Sequence, residues 1–423
     1  MRPRRIATKV EPAPANRASR GANLKAALAA VLASTLAIGA GALPTAAGAA
    51  PLQVLFVGNS FSYTRPPAMN YNTDAVDDMN YENFLANPAD GDPALPQPWG
   101  GVPAIVSKLA EQAGVALDIH HSLRGGASLR GHFLNTNPAG WDLRANIGAR
   151  RWDIVVLQGN STEAVDRAGG DYAQFSAYVR KIEGWIHDGT ALTYRDSDLY
   201  PGGTTALRRI PANPNANPAA LVYLYQTWAR PDLTYPAGSP YEGEPLETMT
   251  RDLRDAYAMA ALEDQRITAI APVGEAFMRA VRQGVALRDP YVATDAAADD
   301  DDEDGDDPRS RQASGHHAAG ADDQARGRDR DGDRGQGRDA RDDRHHRGGK
   351  GRQVNLWWHE DWFHPSGHGA YLSALVMFGT LTRIDPASFG PDEDAAADLD
   401  IRPSAARRLQ QVASEQLRAS GFD

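Results

Sequence analysis

Leu52 to Ser62 reads LQVLFVGNSFS, an apolar run that stops at Gly58 and delivers Ser60 two residues later. β-formers that end on Gly and are followed at once by small polar residues spell a buried strand feeding a tight turn. In an open α/β sheet, ligands bind outside the carboxyl ends of the strands, so a serine set there is a candidate nucleophile. Strand-end serines are also common in turns without chemistry, and Ser60 needs partners from elsewhere in the chain.

The same pattern recurs downstream. Val102 to Ala113 has apolar residues at helical spacing, Gly114 stops it, and ALDIHHSL (116–123) alternates as a short strand before Arg124-Gly125-Gly126-Ala127-Ser128. His120 and His121 lie inside that strand, where a histidine more often packs than reacts. WDIVVL (152–157) is a third apolar run, ending in Gln158-Gly159-Asn160-Ser161. A helix is expected over 172–187, a fourth strand over 221–226, a helix over 246–263, a fifth strand over 267–271 and a helix over 274–283. Strands alternating with helices imply one five-stranded parallel sheet covered on both faces, an α/β/α sandwich in which Ser60, Gly126 and Asn160 meet at one edge. Two Gly/Pro/Asn-rich stretches interrupt the pattern: residues 63–100, expected to rim the site, and residues 188–218.

Near the carboxyl end the chain reads NLWWHEDWFHPSGHGAYLSALVMFGTLTRIDP (355–386), with Ser366 placed to cap a helix over 366–381. His359-Glu360 and His364 echo a zinc-protease helix, yet that motif needs histidines four apart. A separation of five splays the rings by roughly 140°. Asp361 and His364, three apart on a turn, suit a different task. The carboxylate can hold one imidazole nitrogen and leave the other to face a serine.

These blocks resemble the SGNH (GDSL-type) hydrolase superfamily, in particular its bacterial branch with GNSF and DxxHPS blocks. Gly58-Asn59-Ser60-Phe61-Ser62 matches the first block, Gly126 the second, Asn160 the third, and Asp361-Trp362-Phe363-His364-Pro365-Ser366 the last. The resemblance implies a flavodoxin-like fold, Ser60 as nucleophile, His364 as base, Asp361 as its orienter, and an oxyanion hole from Ser60, Gly126 and Asn160. Gly125 takes the place of Gly126 if the alignment shifts by one. Asn59 stands where GDSL members carry Asp, and Gln158-Gly159-Asn160-Ser161 replaces Gly-x-Asn-Asp. An α/β-hydrolase elbow, Gly-x-Ser-x-Gly, is excluded because position 62 is Ser. The chemistry implied is acyl transfer to Ser60 on an ester, without metal or organic cofactor. Trp228, Trp357, Trp358 and Trp362, set near strand ends or the His364 loop, point toward carbohydrate esters. A lipase-like or short-chain carboxylesterase and a non-catalytic binding protein of the same fold are the alternatives.

Composition bounds the remainder. A net charge of -11 argues against a nucleic-acid partner, and the absence of cysteine excludes disulfides, thiolate metal sites and a cysteine nucleophile. Residues 1–49 combine a basic leader, an apolar run over 26–43 and Ala47-Gly48-Ala49, the layout of a cleaved signal peptide. A secreted or periplasmic protein without stable membrane insertion after cleavage is expected. Residues 295–352 form a charged insertion; 299–352 hold sixteen acidic and twelve basic residues and almost nothing apolar. Such a segment is expected to be disordered. Its Asp329, Asp331 and Asp333 lack the closing glutamate of a calcium loop, and its paired histidines, 316–317 and 345–346, are weak metal candidates. The catalytic domain is then expected to comprise residues 50–294 and 353–423.

Overall fold

The computed structural model describes residues 50–87, 95–135, 141–291 and 353–422. The expected signal peptide (1–49) and charged insertion (295–352) lie outside the described residues.

The central sheet is built from β1 (Leu52–Gly58), β2 (Asp77–Asp78), β3 (Leu117–Leu123), β4 (Ile154–Leu157), β7 (Leu221–Tyr225) and β8 (Ile267–Ala271), all parallel, in the order β2-β3-β1-β4-β7-β8. The five expected strands take the flavodoxin-like order 2-1-3-4-5. The sheet nevertheless has six strands rather than five. Asp77 and Asp78 pair with His120 and His121 as an edge strand too short and too polar to read as one. The remaining two strands, β5 (Leu192–Arg195) and β6 (Leu207–Ile210), form a separate antiparallel pair within the stretch expected as an irregular insertion. Buried Asp196, taking Arg130, Arg208 and Tyr178 at 2.9, 3.0 and 2.6 Å, ties that pair to the body.

Helices flank the sheet because the chain reverses direction across it. From β1 it crosses one way to β3 through Gly101–Gln112; from β4 it crosses the other way through Tyr172–Asp188, and onward through Leu246–Glu263. Right-handed crossovers running in opposite directions lie on opposite faces. The reversal sits between β1 and β4, the switch point at which this architecture leaves a crevice. Ser60 follows β1 and Asn160 follows β4, so both stand on its rim.

The helix Gly367–Thr382 is buried along almost its whole length. A helix apolar all round belongs in a core, and this one packs between Gly101–Gln112, Val273–Arg282 and the C-terminal Pro403–Ala419. Ser366 caps it, accepting from Gly369 N at 3.2 Å, as its sequence position predicts. Gly369 is obligatory: a Cβ there would stand 2.1 Å from the Leu356 carbonyl oxygen. Upstream, Val354 bridges in parallel to Ala286, with Leu287 N to Val354 O and Val354 N to Val285 O both 2.9 Å, so the chain re-enters the fold beside the point where it left. Among the described residues, no helix is long and apolar enough to cross a membrane.

Candidate active site

Ser60 opens a single helical turn, Ser60–Tyr63, whose N-cap is Asn59. Gly58 is required before it, because a Cβ there would stand 2.6 Å from Gln158 Oε1. The Asn59 side chain accepts from Phe61 N at 3.1 Å and donates to Ala127 O and Gly159 O at 3.0 and 3.1 Å. Its backbone N–H donates to Gln158 Oε1 at 2.9 Å, and Gln158 Nε2 returns a bond to Asn59 Oδ1 at 3.0 Å. Ser62 Oγ donates to the same Gln158 Oε1 at 3.0 Å. Asn59 and Gln158 thus lash the Ser60 turn to the loops after β3 and β4.

Those loops carry Gly126 and Asn160. Arg124 O accepts from Ala127 N at 3.1 Å, closing a tight turn with Gly126 at φ +69°, a left-handed conformation suited to glycine. Gly125 is exposed in the same turn, and a Cβ on it would come 3.0 Å from the Tyr63 hydroxyl oxygen. Asn160 Nδ2 donates to Gly126 O at 3.2 Å. Neither Ser60 N–H nor Gly126 N–H has an acceptor among the described residues. Three donors therefore come from three strand ends, with one hydrogen of the Asn160 amide already fixed in direction.

His364 lies opposite, on the loop leading into the buried helix. Asp361 Oδ1 accepts from Phe363 N and His364 N at 3.1 and 3.0 Å, and Oδ2 accepts from His364 Nδ1 at 2.6 Å. This is a side-chain-built turn of the kind Asp favours, and it places Trp362 at φ +57°, a strained conformation for a bulky residue. Burial pushes the Asp361 carboxyl upward, but the bonds from His364 and the loop backbone outweigh it and hold Asp361 below the usual range. The His364 pKa is lowered, by burial first and by the Arg65 and Arg230 charges, against the pull of Asp361. A neutral imidazole with Nδ1–H committed to Asp361 carries its free lone pair on Nε2. Neither Nε2 nor Ser60 Oγ has a hydrogen-bond partner among the described residues.

Aromatic packing joins the two halves. The Phe61 ring, next to Ser60, stacks on Trp228 at 4.3 Å and meets the His364 ring edge-on at 5.8 Å. Trp228 stacks in turn on Phe277 at 4.5 Å and donates Nε1–H to Phe363 O at 3.0 Å. Trp228 and Trp357 are fully buried, so of the four tryptophans singled out in the sequence only Trp358 and Trp362 are partly exposed. Arg65 approaches Asp361 Oδ2 at 3.7 Å. His120 sits between Asp77 and Asp118, and His121 donates from Nε2 to Trp99 O at 2.7 Å; both serve the edge of the sheet.

Three contributors escape a reading by motif. Gln158 and Glu163 look like ordinary polar residues after a strand, and their partners lie on other elements. His132, fully buried, donates from Nε2 to Gly58 O at 2.9 Å, and desolvation pushes its pKa down to about 4. Glu163 is buried as completely, which pushes its pKa up to about 7 despite backbone N–H donors from Leu129 and Asn160. A glutamate three residues after the third-block asparagine is the only sequence signal.

No family model and no curated protein matches this chain. Among solved structures it is similar to a protein described as "a putative SGNH hydrolase" from Slackia heliotrinireducens, at 16% identity over 78% of this chain and 99% of that one, TM-score 0.35. It is also similar to a DUF4886 family protein from Bacteroides uniformis, at 13% identity over 87% and 95%, TM-score 0.42. A third likeness is to TesA, at 15% identity over 52% of this chain and 77% of that one, TM-score 0.27.

Proposed function

We propose that the protein is a serine hydrolase acting on ester bonds through an acyl-enzyme. The observation that carries this reading is the Asp361–His364 pair: Nδ1 is held at 2.6 Å by a carboxylate kept ionised, beside the turn that presents Ser60. His364 Nε2 takes the Ser60 proton as Oγ attacks the carbonyl carbon, and Asp361 stabilises the imidazolium. The carbonyl oxygen gathers negative charge facing Ser60 N–H, Gly126 N–H and Asn160 Nδ2. Loss of one such donor typically costs about 2.7–4 kcal/mol of transition-state stabilisation. The imidazolium then protonates the departing alkoxide. Water, deprotonated by His364, attacks the acyl-enzyme and releases the acid and free Ser60. Because Asp361 is not required to take the proton, its low pKa is compatible with the role.

The substrate class proposed is an acylated carbohydrate, met outside the cytoplasm after export by residues 1–49. Trp358 and Trp362 are the partly exposed tryptophans on the His364 loop and the candidates for stacking on a sugar. The test is hydrolysis of p-nitrophenyl acetate by the wild type beside Ser60→Ala, with fluorophosphonate labelling of Ser60. Equal rates for the two proteins, or no hydrolysis together with an unlabelled Ser60, would remove the catalytic reading. Acetate release from acetylated polysaccharide, set against cleavage of lipid esters of graded chain length, decides the substrate class.

A further inference from the structure

The Gly126 and Asn160 donors stand on loops after β3 and β4, strands that are not neighbours because β1 lies between them. β1 pairs with both strands, but the loops beyond them are joined by side chains: Asn59 Nδ2 donates to Ala127 O and Gly159 O on the β1 side, and Glu163 makes a second tie. Glu163 Oε2 accepts from Leu129 N at 3.1 Å and from Asn160 N at 2.9 Å, and Asn160 Nδ2 closes the circuit on Gly126 O at 3.2 Å. Gly159 makes room for it, since a Cβ there would stand 2.7 Å from Glu163 Oε2. The other oxygen, Oε1, is buried and lacks a well-formed hydrogen bond, with the Arg130 N–H as the remaining donor toward the carboxyl.

A buried carboxyl with one oxygen short of a well-formed hydrogen bond destabilises a fold relative to an apolar residue of the same volume. Packing alone therefore does not account for Glu163, whereas its reach across both loops does. Resting on the serine-hydrolase reading, we propose that Glu163 is a positioning residue whose carboxyl, bridging Leu129 and Asn160, sets the spacing between the Gly126 and Asn160 oxyanion donors. It touches no reacting atom. The donors it holds matter only once charge develops on the carbonyl oxygen, so its removal should fall on kcat rather than KM.

The test compares Glu163→Ala, Glu163→Gln, Asn160→Ala and the Glu163→Ala/Asn160→Ala double variant on p-nitrophenyl acetate. Glu163→Ala is expected to lower kcat about 100-fold, the scale of one lost oxyanion donor, with KM within about twofold. Glu163→Gln keeps an acceptor oxygen and should recover kcat to within about fivefold of wild type. In the Asn160→Ala background, Glu163→Ala should cost less than about fivefold more, because both act through one donor set. Should Glu163→Ala lose its cooperative melt, Glu163→Met fills the volume without an acceptor and the same split decides. An unchanged kcat, an equal fall for Ala and Gln, or fully additive losses would overturn the proposal while leaving an active wild type. A wild type that neither hydrolyses the probe nor labels at Ser60 would sink the hydrolase reading and this one with it.

Discussion

The two halves of the site are held by opposite means. The Ser60 turn is tied by buried long-range bonds, from Asn59 to Gln158 and Gly159, 99 and 100 residues on, and to Ala127, 68 residues on. His364 is held by its own loop, where every bond to Asp361 Oδ1 and the one to His364 Nδ1 spans three residues or fewer. A long-range tie adds to the cohesion of the fold, whereas a local tie sets only the direction of one ring. Damage to the first should register in stability and activity together, damage to the second in activity alone.

The widest separation is expected at Asp361→Asn. Loss of the charge that orients His364 should lower kcat about 10⁴-fold, with the melting temperature nearly unmoved. A matching loss of stability would break the comparison. At Asn59→Ala the pattern should invert. Removing an N-cap acceptor and two buried donors leaves Ala127 O without its Asn59 donor and Gly159 O with Gln158 Nε2 alone, for about 2–4 kcal/mol in denaturant unfolding, beside a fall in activity.

Glu163→Gln should reveal a pH signature of the long-range side. The acid is raised from 4.5 to about 7 in the fold, so the native state binds more protons than the unfolded chain between those values. Wild-type stability therefore declines as pH rises through that window, whereas glutamine does not titrate. The advantage of the variant should grow from pH 4.5 to pH 7 and level off above, to at most about 3 kcal/mol in urea titrations at fixed pH.

The local side has its own pH signature in kcat/KM. His364 must be neutral to act, and its pKa is lowered from the ordinary 6.5, so the acid limb should fall below pH 6.5. Arg65→Gln removes one of the charges that lower it and should move that limb upward. A limb unmoved by the change would mean that the Arg65 charge does not reach the imidazole. Smallest of all is the effect expected from deleting residues 299–352, a charged stretch proposed to be dispensable for the fold. Because Ala286 and Val354 already bridge, the cooperative melt should survive within about a degree. Loss of that melt would overturn the proposal.

The same division decided what the sequence could disclose. Asp361 and His364 are legible because their relation is a spacing, and Ser60 and Asn160 because each ends an apolar run. The five core strands are readable for the same reason. The Asp77–Asp78 edge strand carries no apolar pattern, and its pairing depends on β3, which arrives forty residues later. Gln158 and Glu163 are invisible as site residues because the ties that matter cross between elements far apart in sequence, Gln158 to Asn59 and Ser62 and Glu163 to the Leu129 N–H, and no local spacing records them. The helix Pro403–Ala419 carries a legible signal of its own: Pro403 at its start and Leu409, Val412, Ala413 and Leu417 on its buried side form an ordinary amphipathic pattern.

The contact at Gly369 bears on how steadily His364 is held. There the helix after the histidine meets the Leu356 carbonyl backbone against backbone, with Ser366 N bonded to the same oxygen at 2.9 Å. Side-chain contacts can yield by hopping between rotamers, but two main chains in contact have no such freedom. The joint behaves as a mechanical stop, blocking travel of the helix toward Leu356. The imidazole, two residues ahead of Ser366, thus has a fixed main-chain abutment behind it and the Asp361 carboxylate at its Nδ1.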